Sequence, residues 1–171
     1  MDEIEIVQYD PRWPLLFEEE AKRIRTVLDP SLIVGLEHFG STAIPGLSAK
    51  PIIDILIAVR SLAAAQATFV EALRKLEYVY WADNPKKDRM FFVKGMPPFG
   101  SKRSHHVHVT GDYGEMWQRL AFRDYLRAHP DEAETYERLK RRLAVKHQTD
   151  REAYTDAKSA YVESVMQKAI K

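Results

Sequence analysis

One carboxylate stands out because of its apolar surroundings. Asp54 is the only acidic residue of the segment Pro51–Val59, which is otherwise rich in isoleucine and valine. A carboxylate is costly to bury unless a metal, a cation or hydrogen bonds compensate it. The sequence therefore predicts that Asp54 lies in a functional site. The alternative is a strand-end Asp that only hydrogen-bonds to neighbouring backbone.

A turn-rich segment, Gly40–Gly46, precedes this apolar segment and offers groups that can bind phosphate. Gly40 has no Cβ, so a ligand can approach the backbone closely. Ser41 and Thr42 add hydroxyl groups beside backbone N–H groups. Lys50, just before the apolar segment, adds a positive charge. We expect all four residues to contact an anionic ligand.

The pair His106 and His108 has the spacing of two side chains on one face of a strand. Two neighbouring imidazoles suit Zn²⁺, Mn²⁺ or Fe²⁺, and Asp54 would complete a set of two histidines and one carboxylate. The same three residues are the candidate catalytic residues. Two other interpretations stay open: the imidazoles contact a ligand phosphate or Asp54 without metal, or they are structural.

Clustered basic residues favour a polyanionic ligand. Between Asp83 and Arg103 the sequence has six basic and two acidic residues. Arg89 and Lys94 lie in this region, and Arg123 lies at the centre of a helical ridge of three arginines spaced by four residues. We expect these three residues to bind the ligand. The alternative is a solvated surface paired with nearby acids.

Three phenylalanines of the same region could stack on a nucleobase. They are Phe91, Phe92 and Phe99. Core packing is the alternative for at least one of the first two.

The elements that must position these residues form a mixed pattern. Strands are predicted at Ile33–Phe39, Pro51–Val59, Tyr78–Trp81, Arg89–Lys94 and His105–Thr110. Helices are predicted from Asp10–Pro11, from Ser61, from Gly114, from Pro130 and after a capping signature at Thr149–Glu152. Strands thus concentrate in the first two-thirds and helices in the last third. This predicts an α/β (α+β) fold in which helices back a mixed sheet and form a C-terminal layer.

Composition narrows the class of protein. The chain has 171 residues, no cysteine and a net charge of +1. This length predicts one domain, 1–171, and the absence of cysteine excludes disulfides and thiolate metal sites. Nothing in the charge balance indicates nucleic acid or membrane as a partner. The acidic N-terminus and short apolar runs predict neither a signal peptide nor a membrane helix, so we expect a cytoplasmic protein.

Several segments resemble the GrpB family. They read HFGSTAIPGLSAKPIIDI, RMFFVKG, HHVHV and LAFRDYLRAHPDEAETYERLKRRLA, and they extend over most of the chain. The resemblance implies a nucleotidyltransferase-like fold, in which a Gly-Ser turn holds the triphosphate and strand carboxylates hold divalent metal. Gly40 and Ser41 match the turn, and Asp54 matches the first carboxylate.

The sequence also departs from the superfamily pattern. The second carboxylate usually lies two residues further along the strand, and that position is Leu56. His106 and His108 stand where a third carboxylate is expected, although Mg²⁺ prefers oxygen ligands.

Three function classes follow. The first is a nucleotidyltransferase-type enzyme that binds a nucleotide or another anionic phosphate with Mg²⁺, Mn²⁺ or Zn²⁺. The second is a catalytically inactive sensor of such a ligand on the same fold. The third is an interaction domain that uses the arginine ridge.

Overall fold

The fold is built on a five-stranded sheet. The structure, a computed structural model, describes residues 4–111 and 114–169. The strands are β1 (Ile33–Phe39), β2 (Ile53–Val59), β3 (Tyr78–Tyr80), β4 (Arg89–Lys94) and β5 (His105–Thr110). Their order is β1-β2-β5-β4-β3, in which β2 and β5 run parallel and the other neighbours run antiparallel. The sheet is therefore mixed, as the sequence predicted.

Five α-helices surround the sheet in the described part of the chain. They are α1 (Trp13–Val27), α2 (Leu62–Arg74), α3 (Gly114–Ala128), α4 (Pro130–Lys146) and α5 (Arg151–Ala169). Helices α1 and α2 alternate with the first strands, whereas α3, α4 and α5 follow the last strand and contact one another. The predicted α/β class with a helical C-terminal layer is confirmed.

Local sequence explains where these helices begin. The Ser61 hydroxyl accepts a hydrogen bond from the Ala64 N–H at 3.1 Å and caps α2. The Asp150 carboxylate accepts one from the Ala153 N–H at 3.0 Å, before α5. The predicted start of α1 at Asp10 was wrong. Asp10 instead accepts hydrogen bonds from Arg12, and α1 begins after that turn.

One face of the sheet carries the main apolar core. Side chains of a strand alternate between faces, so every second residue of β2, from Ile53 to Val59, points toward α1 and α2. These positions are at most 2% exposed, and Val107 and Val109 of β5 join them in the same cluster. The residues between these positions, such as Asp54 in β2, point to the opposite face of the sheet.

The opposite face, which we call the site face, carries Asp54 in β2 and His106 and His108 in β5. Asp54 lies directly across from His106 in the parallel pair and from Phe39 in the antiparallel pair. Toward β1, the C-terminal helices pack on the loop after β1 in a second cluster. Its buried members are Ile44, Leu47, Phe122, Leu126, Tyr136, Val165 and Met166.

A polar network lies beneath α1 on the core face. Glu20 is fully buried, and its carboxylate accepts hydrogen bonds from the Lys94 ammonium at 2.8 Å and from the Tyr78 hydroxyl at 3.0 Å. The His105 Nε2 atom is 3.6 Å from the same carboxylate. Arg23 also donates to Glu20, at 3.4 Å. Because Glu20 has three hydrogen-bonding partners, its burial is compensated.

No helix within residues 4–111 and 114–169 is long and apolar enough to cross a bilayer.

Candidate functional site

The turn after β1 approaches the Asp54 carboxylate closely. A Cβ atom at Gly40 would lie 2.5 Å from the Asp54 Oδ2 atom. Gly40 also adopts φ 74° and ψ −172°, a backbone conformation that is almost restricted to glycine. The structure therefore brings the Gly-Ser turn and Asp54 together, and it explains why no larger residue fits at position 40.

Asp54 lies in a recess of the site face. Its side chain is 27% exposed, so solvent reaches it, although the surrounding protein atoms desolvate it strongly. Desolvation raises the pKa of Asp54, but the hydrogen bond from His106 and the charges of His106, His108 and Lys50 outweigh it. The pKa falls to about 2, so the carboxylate is ionised at neutral pH.

His106 connects Asp54 to an arginine. Its Nδ1 atom is 3.4 Å from Asp54 Oδ1, and its Nε2 atom is 3.3 Å from Arg103 Nη1. A guanidinium only donates hydrogen bonds, so the network assigns the acceptor role to Nε2 and the proton to Nδ1. In this arrangement His106 is a neutral imidazole that donates toward Asp54, and burial lowers its pKa.

His108 lies beside His106, as the strand spacing predicted. Its Nε2 atom is 3.9 Å from Asp54 Oδ1, and desolvation lowers its pKa to about 3 despite the opposing charge of Asp54. The ring of Phe91, in β4, contacts both imidazoles, with centroid distances of 5.0 Å to His106 and 4.8 Å to His108.

These three residues have the composition of a metal site. One ligand atom from each of Asp54, His106 and His108 lies within 4.8 Å of the others. Bonds of about 2.0–2.2 Å from nitrogen or oxygen to Zn²⁺ require closer ligand atoms. A metal would therefore need a small contraction of the cluster and displacement of the proton between His106 and Asp54. The chemistry of the ligand set fits such an ion.

Two lysines converge on the same recess. The Lys50 Nζ atom lies 5.1 Å and the Lys158 Nζ atom 4.8 Å from the ring centroid of Tyr154 in α5. Both side chains are half-buried. Among the described residues, with the side chains of 115–117 excepted, neither ammonium has a hydrogen-bond or ion-pair partner.

The environment of these lysines disfavours their charge. Desolvation, followed by the charges of Lys158, Arg151 and Arg103, lowers the pKa of Lys50 to about 7 against the opposing effect of Asp54. Desolvation, with the charges of Arg119 and Arg151, likewise lowers the pKa of Lys158 to about 8. The recess thus holds more positive groups than the Asp54 carboxylate can balance.

Two buried tyrosines line the C-terminal side of the recess. The Ser41 hydroxyl hydrogen-bonds to Tyr136 of α4, although burial is the larger effect and raises the pKa of Tyr136 to about 12. Tyr154 is fully buried, and its hydroxyl has no hydrogen-bond partner among the described residues. Lys140 is also buried, and its ammonium donates to the Ser48 carbonyl at 2.7 Å.

The structure brings together most of the residues that the sequence singled out. Gly40, Ser41, Lys50, Asp54 and both histidines border one recess. Arg89 lies on the site face at the edge of this group, where its charge contributes to the lowered pKa of His108.

Three of the predicted ligand-binding residues lie elsewhere or are already engaged. Lys94 is on the core face and binds Glu20. Thr42 is 1% exposed, and its hydroxyl hydrogen-bonds to His38 at 2.9 Å, which places it behind the turn. Arg123 donates to the Glu37 carboxylate and to the His38 carbonyl, so it anchors α3 to β1.

The three phenylalanines also separate. Phe92 is fully buried in the main core, and Phe99 packs beneath the Arg74 guanidinium, 5.4 Å from its ring centroid. Phe91 alone of the three faces the candidate site.

Sequence reasoning missed the contribution of the C-terminal helices. Lys158, Arg151 and Tyr154 all come from α5, which carries no catalytic motif. The sequence contains one partial signal of this contribution. Tyr154 and Lys158 are four residues apart and therefore share one face of a helix. Nothing in that spacing indicates that the face turns toward Asp54.

Fold and site together define a mixed α/β protein with a Gly-Ser turn, one carboxylate and two imidazoles in a cation-rich recess. The model of the family described as GrpB protein matches residues 3–168. The chain belongs to the GrpB family.

Relatives and a solved structure agree with this assignment. A UPF0157 protein of Pseudomonas aeruginosa is 49% identical over 170 residues, which cover 99% of this chain and 69% of that protein. The crystal structure of conserved protein GrpB from Enterococcus faecalis superposes with a TM-score of 0.85 at 33% identity and covers 96% of both chains. A dephospho-CoA kinase of Mycolicibacterium paratuberculosis is 31% identical over 97% of this chain, which spans 46% of that protein.

Proposed function

We propose that this protein binds a phosphorylated small molecule, a nucleotide or another anionic phosphate, in the Asp54 recess of a nucleotidyltransferase-like fold. The observation that carries the proposal is the pair of half-buried ammonium groups, Lys50 and Lys158, without a hydrogen-bond or ion-pair partner in the described residues. Desolvated charges without a partner are costly. A bound phosphate would compensate both.

The turn after β1 supports the same ligand. Gly40 lets the turn lie directly against Asp54, and Ser41 of the same turn is half-buried with Tyr136 as its partner. The Arg103 and Arg119 charges act on the same recess, since they influence Lys50 and Lys158 respectively. Phosphate oxygens accept several charge-assisted hydrogen bonds at once, which suits this convergence of donors.

The position of Leu56 argues against ordinary magnesium-dependent transfer. Leu56 is 2% exposed and packs with Phe39 and Leu120. It therefore leaves β2 with one carboxylate on the site face, Asp54, where a pair of oxygen ligands on this strand would favour Mg²⁺. Glu37 of β1 lies opposite Leu56 on the same face, but its carboxylate is bound by Arg123. A sensor that binds the ligand without turnover fits this arrangement.

Transfer chemistry remains a second candidate because Asp54 orients His106. An imidazole held by a carboxylate is a common general base. The relative named dephospho-CoA kinase is compatible with phosphate chemistry, although this chain matches less than half of it. Incubation with radiolabelled ATP separates the two candidates, since a transferase releases labelled product and a sensor does not.

A metal-loaded form is the third candidate, favoured by the proximity of Asp54, His106 and His108. These three residues would hold Zn²⁺ or Mn²⁺, and the ion would polarise a phosphate oxygen. Metal analysis of protein purified without a His-tag tests this. Bound metal that survives both His106→Ala and His108→Ala would exclude the metal-loaded form.

Calorimetry with ATP and with inorganic tripolyphosphate tests the phosphate site itself. We expect Lys50→Met and Lys158→Met to weaken binding about 5- to 150-fold each, because each removes a charged contact worth about 1–3 kcal/mol. Lys75→Met is the matched control, since Lys75 is exposed at the end of α2. Equal binding by all three variants, or no binding of either probe, would refute the proposal.

Asp54→Asn then distinguishes the metal-free from the metal-loaded site. Without metal, the substitution removes a negative charge near a negative ligand, so phosphate affinity stays the same or rises. With a bridging metal, the substitution weakens the metal-dependent binding of phosphate by about 1–3 kcal/mol.

A further inference from the structure

An aromatic surface continues the site face beyond the imidazoles. Trp81, which follows β3, is 45% exposed, and its ring lies 6.2 Å from that of Phe91 with an interplanar angle of 77°. The backbone N–H of Trp81 donates to the Phe91 carbonyl at 2.9 Å, which continues the pairing of β3 with β4 by one residue and holds Trp81 beside Phe91. We call Trp81 and Phe91 the aromatic platform.

The platform is continuous with the phosphate recess. Phe91 lies directly opposite His108 in the register of β4 and β5 and contacts both imidazoles that surround Asp54. Neighbouring strands are about 4.8 Å apart. Phe91 therefore lies about 10 Å, and Trp81 about 14 Å, across the sheet from the strand of Asp54.

The surroundings of the platform are polar and basic. Arg89 follows on the same face, and Lys86 and Lys87 belong to the loop between Trp81 and β4. An exposed indole within a basic rim, beside a half-buried phenylalanine, offers a stacking surface for a ring that carries phosphate. A protein partner with an aliphatic surface would need a broad apolar patch. The basic residues around Trp81 interrupt any such patch.

We infer that the aromatic platform binds the heteroaromatic ring of the phosphorylated ligand, so that the ligand is a nucleoside polyphosphate rather than a sugar phosphate or free phosphate. This inference rests on the proposed phosphate site. The ring stacks on Trp81 and Phe91 while the phosphate chain extends along β5 to Lys50 and Lys158. Trp81 is then a residue that determines specificity.

The test compares ATP with inorganic tripolyphosphate, which carries the same phosphate chain without a base. Stacking of one base on aromatic side chains contributes about 1–3 kcal/mol. We therefore expect ATP to bind about 5- to 150-fold more tightly than tripolyphosphate. Trp81→Ala should remove most of this difference and leave tripolyphosphate affinity unchanged. Trp81→Phe, which keeps an aromatic face, should preserve it within a few-fold.

Fluorescence supplies an independent readout. Of the three tryptophans, Trp13 is buried in the main core at 3% exposure and Trp81 is exposed. Trp13 and Trp117 are both retained in Trp81→Phe, so the difference in quenching between the two proteins reports on Trp81. ATP should therefore quench emission in the wild type and should quench markedly less in Trp81→Phe, and tripolyphosphate should quench neither. Leu15→Ala is the control for loss of an exposed apolar side chain, since Leu15 is 59% exposed on α1.

The possible failures are distinguishable. If neither ATP nor tripolyphosphate binds, the proposed phosphate site is wrong. If both bind equally, or if Trp81→Ala weakens both equally, the phosphate site stands and the platform does not bind the base. An ATP preference that survives Trp81→Ala, without quenching in the wild type, overturns the inference as well.

Discussion

Substitution of Gly40 by alanine tests the geometry of the site without any ligand. The new Cβ would lie 2.5 Å from the Asp54 Oδ2 atom, and the φ of 74° would be strained for alanine. The strained backbone costs about 1–3 kcal/mol. Overpacking against the carboxylate adds about 1–3 kcal/mol. We therefore expect Gly40→Ala to lower the free energy of unfolding by about 2–6 kcal/mol.

Gly46→Ala is the matched control. Gly46 also has a positive φ, 82°, but a Cβ there would meet nothing within 4 Å. Its cost is then the conformational part alone, about 1–2 kcal/mol. Urea unfolding of both variants, with a check that the dependence on urea is unchanged, measures the two costs.

A double-mutant cycle isolates the contact with Asp54. In the Asp54→Ala background the carboxylate is absent, so the cost of Gly40→Ala should fall by about 1–3 kcal/mol, within the range of coupling energies for residues in contact. Equal costs for Gly40→Ala and Gly46→Ala, together with additive behaviour in the cycle, would show that the turn does not approach Asp54.

The remaining predictions concern three charged residues, Lys50, Glu20 and Arg123. The pKa of Lys50 is lowered to about 7 from 10.5, so the unfolded chain binds more protons between these values and stability without ligand should rise with pH across this window. Lys50→Met should flatten this rise and stabilise the unliganded protein at pH 7 by about 1 kcal/mol, as urea unfolding at several pH values would show. Phosphate affinity of the wild type should fall as pH rises above 7, because Lys50 loses its charge, and a pH-independent affinity in calorimetry would contradict this. Glu20→Ala should cost about 3–5 kcal/mol because Lys94 loses its buried partner, yet ATP affinity should not change, since this network lies on the core face. Arg123→Ala should lower the free energy of unfolding by about 1–3 kcal/mol, because the hydrogen bonds to the Glu37 carboxylate and the His38 carbonyl are lost. A large loss of ATP affinity with unchanged stability would instead place Arg123 in the ligand site.

Strand-level features of the site followed from the sequence. Period-two alternation placed His106 and His108 on one face, and the structure has both beside Asp54. The same rule shows why Lys94 was misplaced. In β4, Arg89 and Phe91 share one parity and Lys94 has the other, so Arg89 and Lys94 could not both face the recess. Strand alternation therefore excludes Lys94 from the face that carries Arg89 and Phe91.

Helical contributions to the site could not be derived in the same way. A ridge of arginines on α3 has no intrinsic direction until the helix docks, and docking turned Arg123 toward Glu37. The charge of Arg119, from the same ridge, instead acts on His108 and Lys158. The orientation of α5 depends on tertiary packing of Tyr154, Val165 and Met166, which local propensity does not encode.

The ring of Tyr154 joins the last helix to the edge of the sheet through two ammonium groups. Lys50 reaches this ring from the segment before β2, and Lys158 reaches it from α5 itself. Without ligand, like charges face each other across the junction between the sheet and α5, and packing must hold the junction closed. A bound anion would convert that repulsion into attraction on both sides and fasten two distant parts of the chain. Amide hydrogen exchange in α5 should then slow when tripolyphosphate is present, while exchange in the central strands β2 and β5 stays governed by global unfolding.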